Sequence, residues 1–289
     1  MPDCVVPAES LMRQTRRLLG VLDARAKKSL GQHFLVDSGV LRKIVTAAEL
    51  STHDTVVEVG PGLGVLTGEL ARNAGNVIAV ELDDTLALML QNAFSECDNV
   101  RVLHDDILKC SPSDFLAQDG GCYKVVANLP YYITSAVIRH FLESECQPEI
   151  MVLMLQKEVA RVITARPGEM SLLSVAVQLY GEPRLVCSVP AGSFYPTPKV
   201  DSAVLRITVH NKPLISLSSV PGFFRLARAA FCANRKQLPN SLAQGLNKPK
   251  EELFPLLEAA GIEPRRRAET LSMAEWVRLW SAFNDRGEL

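Results

Sequence analysis

The chain has no Cys-x-x-Cys pair, no internal repeat, no low-complexity tract and no apolar run of membrane-spanning length, and only 6% of its 289 residues are aromatic. Its seven cysteines, Cys4, Cys97, Cys110, Cys122, Cys146, Cys187 and Cys232, are scattered and odd in number. That pattern argues against a disulfide-stapled secreted scaffold and against a thiolate zinc site, so reduced thiols in a cytoplasmic, metal-free protein are expected. The longest N-terminal apolar run, Leu18 to Leu22, is too short for a signal-peptide core or a membrane span. Neither sign of charge dominates, with 31 Lys+Arg against 32 Asp+Glu. The balance is uneven along the chain, because residues 210–289 hold 12 basic against 8 acidic side chains. The N-terminal stretch is locally basic as well, through Arg13, Arg16, Arg17, Arg25, Lys27 and Lys28. Such clusters suit phosphate neutralisation, although a charge run is more often a solvated face.

What is present is an alternation of short β-branched runs with helical periodicity. Thr55–Val59, Asn76–Val80, Val100–Leu103, Tyr123–Ala127 and Glu149–Leu155 read as buried strands, separated by helices near 63–73, 84–95 and 134–143. This order predicts an α/β fold with a mostly parallel sheet, whose ligands bind at the carboxyl ends of the strands. Arg184–Val189 and Ala203–Thr208 read as a closing strand pair. After a Ser-rich, Pro-bounded linker at 210–220 only helical periodicity remains. The expected organisation is therefore a basic arm over 1–26, containing a short amphipathic helix at 9–22, an α/β domain over 27–210 and a small helical domain over 211–289.

Several strand ends carry suggestive groups. The turn Gly60-Pro61-Gly62-Leu63-Gly64 lets backbone approach a ligand beneath a helix N-terminus. A dinucleotide fingerprint would need a glycine where Val65 stands, which weighs against an NAD-linked oxidoreductase. Glu81, after the second strand, is placed to accept ribose hydroxyls, or else Glu81 and Asp83 simply make an acidic helix start. Asp106 suits an adenine amino group with the Ile107 amide beside it, or an Asx-turn. Asn128-Leu129-Pro130-Tyr131 combines an amide carbonyl, a rigid turn and an aromatic face, a set that fits an exocyclic amine on a planar ring, or else is a strand ending in an Asn-x-Pro turn beside a core tyrosine. Phe194, stiffened by Pro196 and Pro198, is either a second stacking face opposite Tyr131 or a core plug.

Taken in order, GQHFL, EVGPGLGVLT, VELD, DDIL, NLPYYIT, FYPTPKVDSAV, ANRKQLPNSL and EPRRRAETLS resemble the ribosomal RNA adenine N6,N6-dimethyltransferase family, in its bacterial small-subunit branch. The resemblance runs from about Lys27 to Trp280. It implies a Rossmann-like S-adenosylmethionine-dependent methyltransferase fold of seven strands with helices on both faces, and a helical C-terminal domain. It also implies S-adenosyl-L-methionine as cofactor, held by Gln32, His33, Leu35, Glu58, Gly60, Gly62, Gly64, Glu81, Leu82, Asp106, Ile107 and Asn128. Asn128, Leu129, Pro130, Tyr131 and Phe194 become the expected catalytic set. Lys199, Arg225, Arg228, Arg235, Lys236, Arg265, Arg266 and Arg267 become the expected RNA contacts. The implied partner is small-subunit rRNA or an assembling small subunit, met by a monomer.

Two departures stand out. The family usually has Asn where this chain has His33, and Ala233-Asn234-Arg235-Lys236 is less basic than the usual Asn-Arg-Arg-Lys run. Two other roles share these motifs: the antibiotic-resistance methyltransferases of large-subunit RNA, and an RNA-binding assembly factor whose catalysis is secondary.

Overall fold

The computed structural model describes residues 10–21, 31–116 and 122–287. Cys4, Arg25, Lys27 and Lys28 lie outside them. The chain divides into two compact units, one of Met1–Ala160 with Arg184–Val209 and the other of Arg161–Pro183 with His210–Leu289.

The first unit is built on a seven-stranded sheet. In chain order its strands are β2 (Thr55–Val59), β3 (Asn76–Glu81), β4 (Val100–His104), β5 (Tyr123–Asn128), β6 (Ile150–Gln156), β7 (Gly181–Val189) and β9 (Ser202–Val209). They lie in the order β4-β3-β2-β5-β6-β9-β7. The pairs from β4 through β6 are parallel, and β9 runs antiparallel to β6. The predicted spans of β2 and β5 agree with these to within a residue, because runs such as Val56-Val57 and Val125-Val126-Ala127 are buried on both sheet faces. Val56, Val77, Val126 and Val152 turn one face towards Val40, Ile44, Leu66 and Leu70 of the helices α2 (Ser38–Ala48) and α3 (Val65–Asn73). One charge enters this unit fully compensated. The buried Lys124 Nζ donates to Asp54 Oδ2 at 3.0 Å and to the Glu49 carbonyl at 2.7 Å.

Two short strands, β1 (Phe34–Leu35) and β8 (Phe194–Tyr195), pair antiparallel and bring the GQHFL segment against the FYPTP loop. The N-terminal helix α1 (Leu11–Val21) is less of a free arm than its charge suggested. Leu19 buries with Phe34, Leu63 and Leu86, and the Arg16 guanidinium sits 5.2 Å from the centre of the Tyr195 ring. An amphipathic helix this short needs such packing to persist.

The second unit is helical. It contains α8 (Leu172–Gln178), α9 (Val220–Phe231), α10 (Leu238–Leu246), α11 (Lys250–Ala259) and α12 (Met273–Asn284) around Phe223, Leu242, Leu257, Trp276 and Phe283. The expected boundary at 210/211 missed one part of it. Met170, Val175 and Leu179 pack into this helical core, and the Glu269 carbonyl accepts the amides of Gly168 and Met170. Residues 161–183 therefore belong with the C-terminal helices. Apolar periodicity marks a helix as buried without saying against which core.

Candidate active site

A cavity of about 330 Å³ opens at the carboxyl ends of β2, β3, β4 and β5, a volume within the range of small-molecule sites. Its walls include Gly60, Pro61, Gly62 and Leu63 after β2, Glu81 and Leu82 after β3, and Asp106 and Ile107 after β4. Asn128 at the end of β5 and Leu129, Pro130 and Tyr131 after it form another wall, while Gln32, His33, Leu35 and Phe194 close the remaining side. The parallel register makes this convergence unavoidable, since Val59 is opposite both Val80 and Ala127, and Glu81 is opposite His104. Of the expected cofactor residues only Gly64 is absent from the walls. Its φ of +78° starts α3, and a Cβ there would lie 2.8 Å from Leu90 Cδ2. Gly64 is thus explained by a left-handed turn and close helix packing rather than by a ligand.

Two carboxylates lie under the glycine turn. Glu81 is buried, with Oε2 accepting the Gly62 amide at 3.0 Å and Oε1 the Asp83 amide at 2.9 Å. Burial raises its pKa above the usual carboxylate value, against the lowering effect of those amides. Each oxygen keeps a further lone pair for a hydroxyl donor. Glu58 is only 1% exposed, and its Oε2 has no hydrogen-bond partner. Burial pushes its pKa up to about 8, reinforced by the charge of Glu81. A buried polar atom without a partner is costly, so this carboxyl fits a polar group of a ligand in the cavity. These carboxyl groups suit a ligand that presents hydroxyl or amine groups to the strand ends.

The Asx-turn expected of Asp106 is present. Its Oδ1 accepts the Leu108 amide at 3.1 Å in an Asx-turn, and the residue still walls the cavity. The same is true of the acidic helix start, where Asp83 Oδ1 caps α4 (Asp84–Ala93) by accepting the amides of Thr85 and Leu86. The other oxygen of Asp83 accepts from Gln32 Nε2 at 3.3 Å. That bond, which nothing in the sequence signalled, ties the GQHFL segment to the end of β3.

Around the Asn128 turn the geometry is specific. Asn128 Nδ2 donates to the His33 carbonyl at 3.0 Å, which leaves Oδ1 as the acceptor. The Pro130 carbonyl accepts the Ile133 amide at 3.2 Å within a 3-10 turn over Tyr131–Ile133, whereas the Leu129 amide donates to Met154. The Tyr131 hydroxyl is 2.8 Å from that of Ser202, a partner not foreseen although it stands within the FYPTPKVDSAV motif. Tyr131 and Phe194 wall the same cavity but differ in access. Phe194 is 1% exposed and packs with Leu35, Val40 and Val204, while Tyr131 is partly exposed. The core-plug reading of Phe194 therefore holds, with the residue also lining the cavity.

The expected RNA contacts fall in both units. Lys199 is exposed on the loop before β9, while Arg225, Arg228, Arg235, Lys236, Arg265 and Arg267 are exposed on the helical unit. Arg266 is not comparable with its neighbours. Its guanidinium donates to both oxygens of Glu275, to the Thr270 carbonyl and, from Nε, to Thr270 Oγ1 at 3.1 Å. Glu275 in turn completes the capping box that starts α12 from Ser272. The Arg266 hydrogen bond, foremost, holds the Glu275 carboxyl down at about 2. Arg266 is thus a structural clamp, and of the triple-arginine run Arg265 and Arg267 are the exposed members, Arg267 with its guanidinium 3.7 Å from Glu269 Oε1. Replacing Arg266 by Met should lower stability by ~2 kcal/mol, because it leaves a largely buried carboxylate without its partner. This contribution is complete above the ordinary Glu value and is lost as pH falls through about 2. Thermal melting should show the variant below wild type at pH 7 and the gap narrowing as pH falls from 4.5 towards about 2. Equal melting temperatures at pH 7 would remove the clamp.

Among the described residues no group of three or more His, Cys, Asp or Glu side chains is arranged to hold a metal, and no helix is long and apolar enough to cross a membrane.

Residues 23–285 match the family model for ribosomal RNA adenine dimethylase. Among curated proteins, the chain is 53% identical over 276 residues to a ribosomal RNA small subunit methyltransferase A of Dehalococcoides mccartyi, covering 96% of this chain and 94% of that one. It is 42% identical to the protein of the same description from Geobacillus thermodenitrificans, covering 93% and 95%. Among solved structures, it resembles a dimethyladenosine transferase from Plasmodium falciparum with a TM-score of 0.79 and 26% identity, covering 88% of this chain and 98% of that one. It resembles the 23S rRNA methyltransferase ErmE with a TM-score of 0.71 and 29% identity, covering 87% and 99%. The chain therefore belongs to the ribosomal RNA adenine dimethylase family, S-adenosyl-L-methionine-dependent methyltransferases in which the cavity at the strand ends is the expected cofactor site.

Proposed function

We propose that the protein dimethylates N6 of two adjacent adenosines near the 3′ end of small-subunit (16S) rRNA in the cytoplasm, contributing to small-subunit biogenesis. The observation that supports this most directly is the assignment of the Asn128 amide, whose nitrogen is occupied by the His33 carbonyl so that Oδ1, on a residue lining the cavity, is left as the acceptor. Bound S-adenosyl-L-methionine supplies an electrophilic sulfonium methyl. Adenine N6 is a weak nucleophile because its lone pair is delocalised into the ring. Hydrogen bonds from the N6–H groups to Asn128 Oδ1 and a main-chain carbonyl, two in the first transfer and one in the second, favour a pyramidal nitrogen with an available lone pair, and the proton displaced at each transfer leaves to solvent. Because the Pro130 carbonyl already accepts the Ile133 amide, the Leu129 carbonyl is the better second acceptor. No strong base is needed, since alignment supplies most of the acceleration. Glu58 and Glu81 would hold the polar parts of the cofactor, Leu82 and Ile107 its adenine faces, and Asp106 its amino group. Tyr131 offers the flipped target base a stacking face, offsetting the few kcal/mol of unstacking.

Small-subunit rather than large-subunit RNA is favoured by the description of the curated relatives at 42–53% identity, against 29% for the 23S enzyme. The test is mass spectrometry of both ribosomal RNAs from cells with and without the gene. Dimethyladenosine that disappears from small-subunit RNA on deletion is the expected result. Loss from large-subunit RNA would assign the resistance-type activity, and no change in either would end the proposal. Rescue of small-subunit assembly by an Asn128→Ala protein as fully as by wild type would instead assign the assembly-factor role.

A further inference from the structure

His33 contributes more contacts around the base site than a cofactor-covering residue requires. Its main-chain carbonyl accepts from Asn128 Nδ2 at 3.0 Å. Its ring Nδ1 lies 2.7 Å from the Pro196 carbonyl, which can only accept, so Nδ1 carries the proton. Its imidazole also stacks on the Tyr131 ring, with centroids 5.9 Å apart and planes 26° from parallel. The neighbouring Phe34 and Leu35 pair with Tyr195 and Phe194, so the backbone on both sides of these contacts is already registered. One residue thus touches each of the elements expected to receive the base: the acceptor amide, the stacking ring and the loop behind Phe194.

We infer that His33 is a positioning residue for methyl transfer, which holds the Asn128 amide, the Tyr131 ring and the 194–198 loop in one arrangement. This deepens the proposed adenine N6 activity and rests on it. The two side-chain contacts are chemically separable. An asparagine at 33 places an amide N–H near the position of Nδ1 and can keep the bond to Pro196, but it has no ring for Tyr131. A phenylalanine keeps a flat face for Tyr131 and cannot donate. The main-chain bond to Asn128 survives either change.

The experiment measures methyl transfer by wild type, His33→Ala, His33→Asn and His33→Phe to small-subunit particles lacking the modification. Cofactor affinity is measured by titration calorimetry with S-adenosyl-L-methionine, and folding by thermal melting. His33→Ala should lose about tenfold or more in kcat while cofactor affinity stays within about threefold. His33→Asn and His33→Phe should each recover part of that loss, with melting temperatures close to wild type. A kcat of His33→Ala within twofold of wild type overturns the inference. A loss matched by an equal loss of cofactor affinity also overturns it, leaving His33 as a cofactor contact alone. If wild type itself transfers no methyl to adenine in either rRNA, it is the proposed function that fails, and the two failures are distinguishable.

Discussion

An Asn128→Ala protein is expected to transfer methyl groups ~10²–10³-fold more slowly than wild type, comparable to removing one preorganised hydrogen-bonding group from a reaction centre. Asn128 closes β5 on the central strand of the cavity, and its neighbour Leu129 is buried and bonded to Met154. The substitution therefore removes an acceptor from a rigid backbone instead of loosening a loop, and stability should change by less than ~1 kcal/mol. Asn128→Asp is the sharper comparison. A carboxylate keeps the acceptor but loses the N–H that bonds the His33 carbonyl, placing two oxygens against each other. It should therefore also fall, by at least ~tenfold, in contrast to a general-base role, for which a carboxylate would equal or exceed the amide. Single-turnover methylation with saturating S-adenosyl-L-methionine reads both variants. An Asn128→Ala rate near wild type, or an Asn128→Asp rate above it, would refute the amide-acceptor mechanism.

The second large effect is one of pH, at Glu58. Below its ordinary value of 4.5 this carboxyl is neutral in the folded and unfolded chains alike, and its burial carries no charge penalty. Between 4.5 and about 8 the unfolded chain ionises it while the folded chain does not, so the folded state binds the extra proton and stability falls as pH rises. The slope approaches ~1.4 kcal/mol per pH unit in that window. A Glu58→Gln protein keeps the shape and the neutral form at every pH. Relative to wild type, without cofactor, it should therefore gain ~2–3 kcal/mol between pH 6 and pH 8. Urea titrations at the two pH values measure this. Parallel shifts of wild type and variant would show that Glu58 is ionised, or solvated, in the empty cavity.

By itself the sequence determined the order and type of the elements and most of the strand ends that line the cavity. Runs such as Thr55–Val59 and Tyr123–Ala127 have one stable use, as strands buried on both faces, and parallel pairing then has to bring Gly60, Glu81, Asp106 and Asn128 to a common edge. Local chemistry was legible for the same reason: a glycine that needs a positive φ, or an aspartate that caps a helix, acts within a few residues of itself. Only the tertiary structure decided what depends on distant partners. It separated Arg266, spent on Glu275, from Arg265 and Arg267, although the three are adjacent and identical in type. It assigned Gly64 to packing against Leu90, and it moved residues 161–183 into the helical unit through Met170, Val175 and Leu179. It oriented the Asn128 amide through a carbonyl 95 residues away. Hydrophobic period and turn propensity are local quantities, whereas the partner of a guanidinium, an amide or a ring is set by which surfaces the fold brings together.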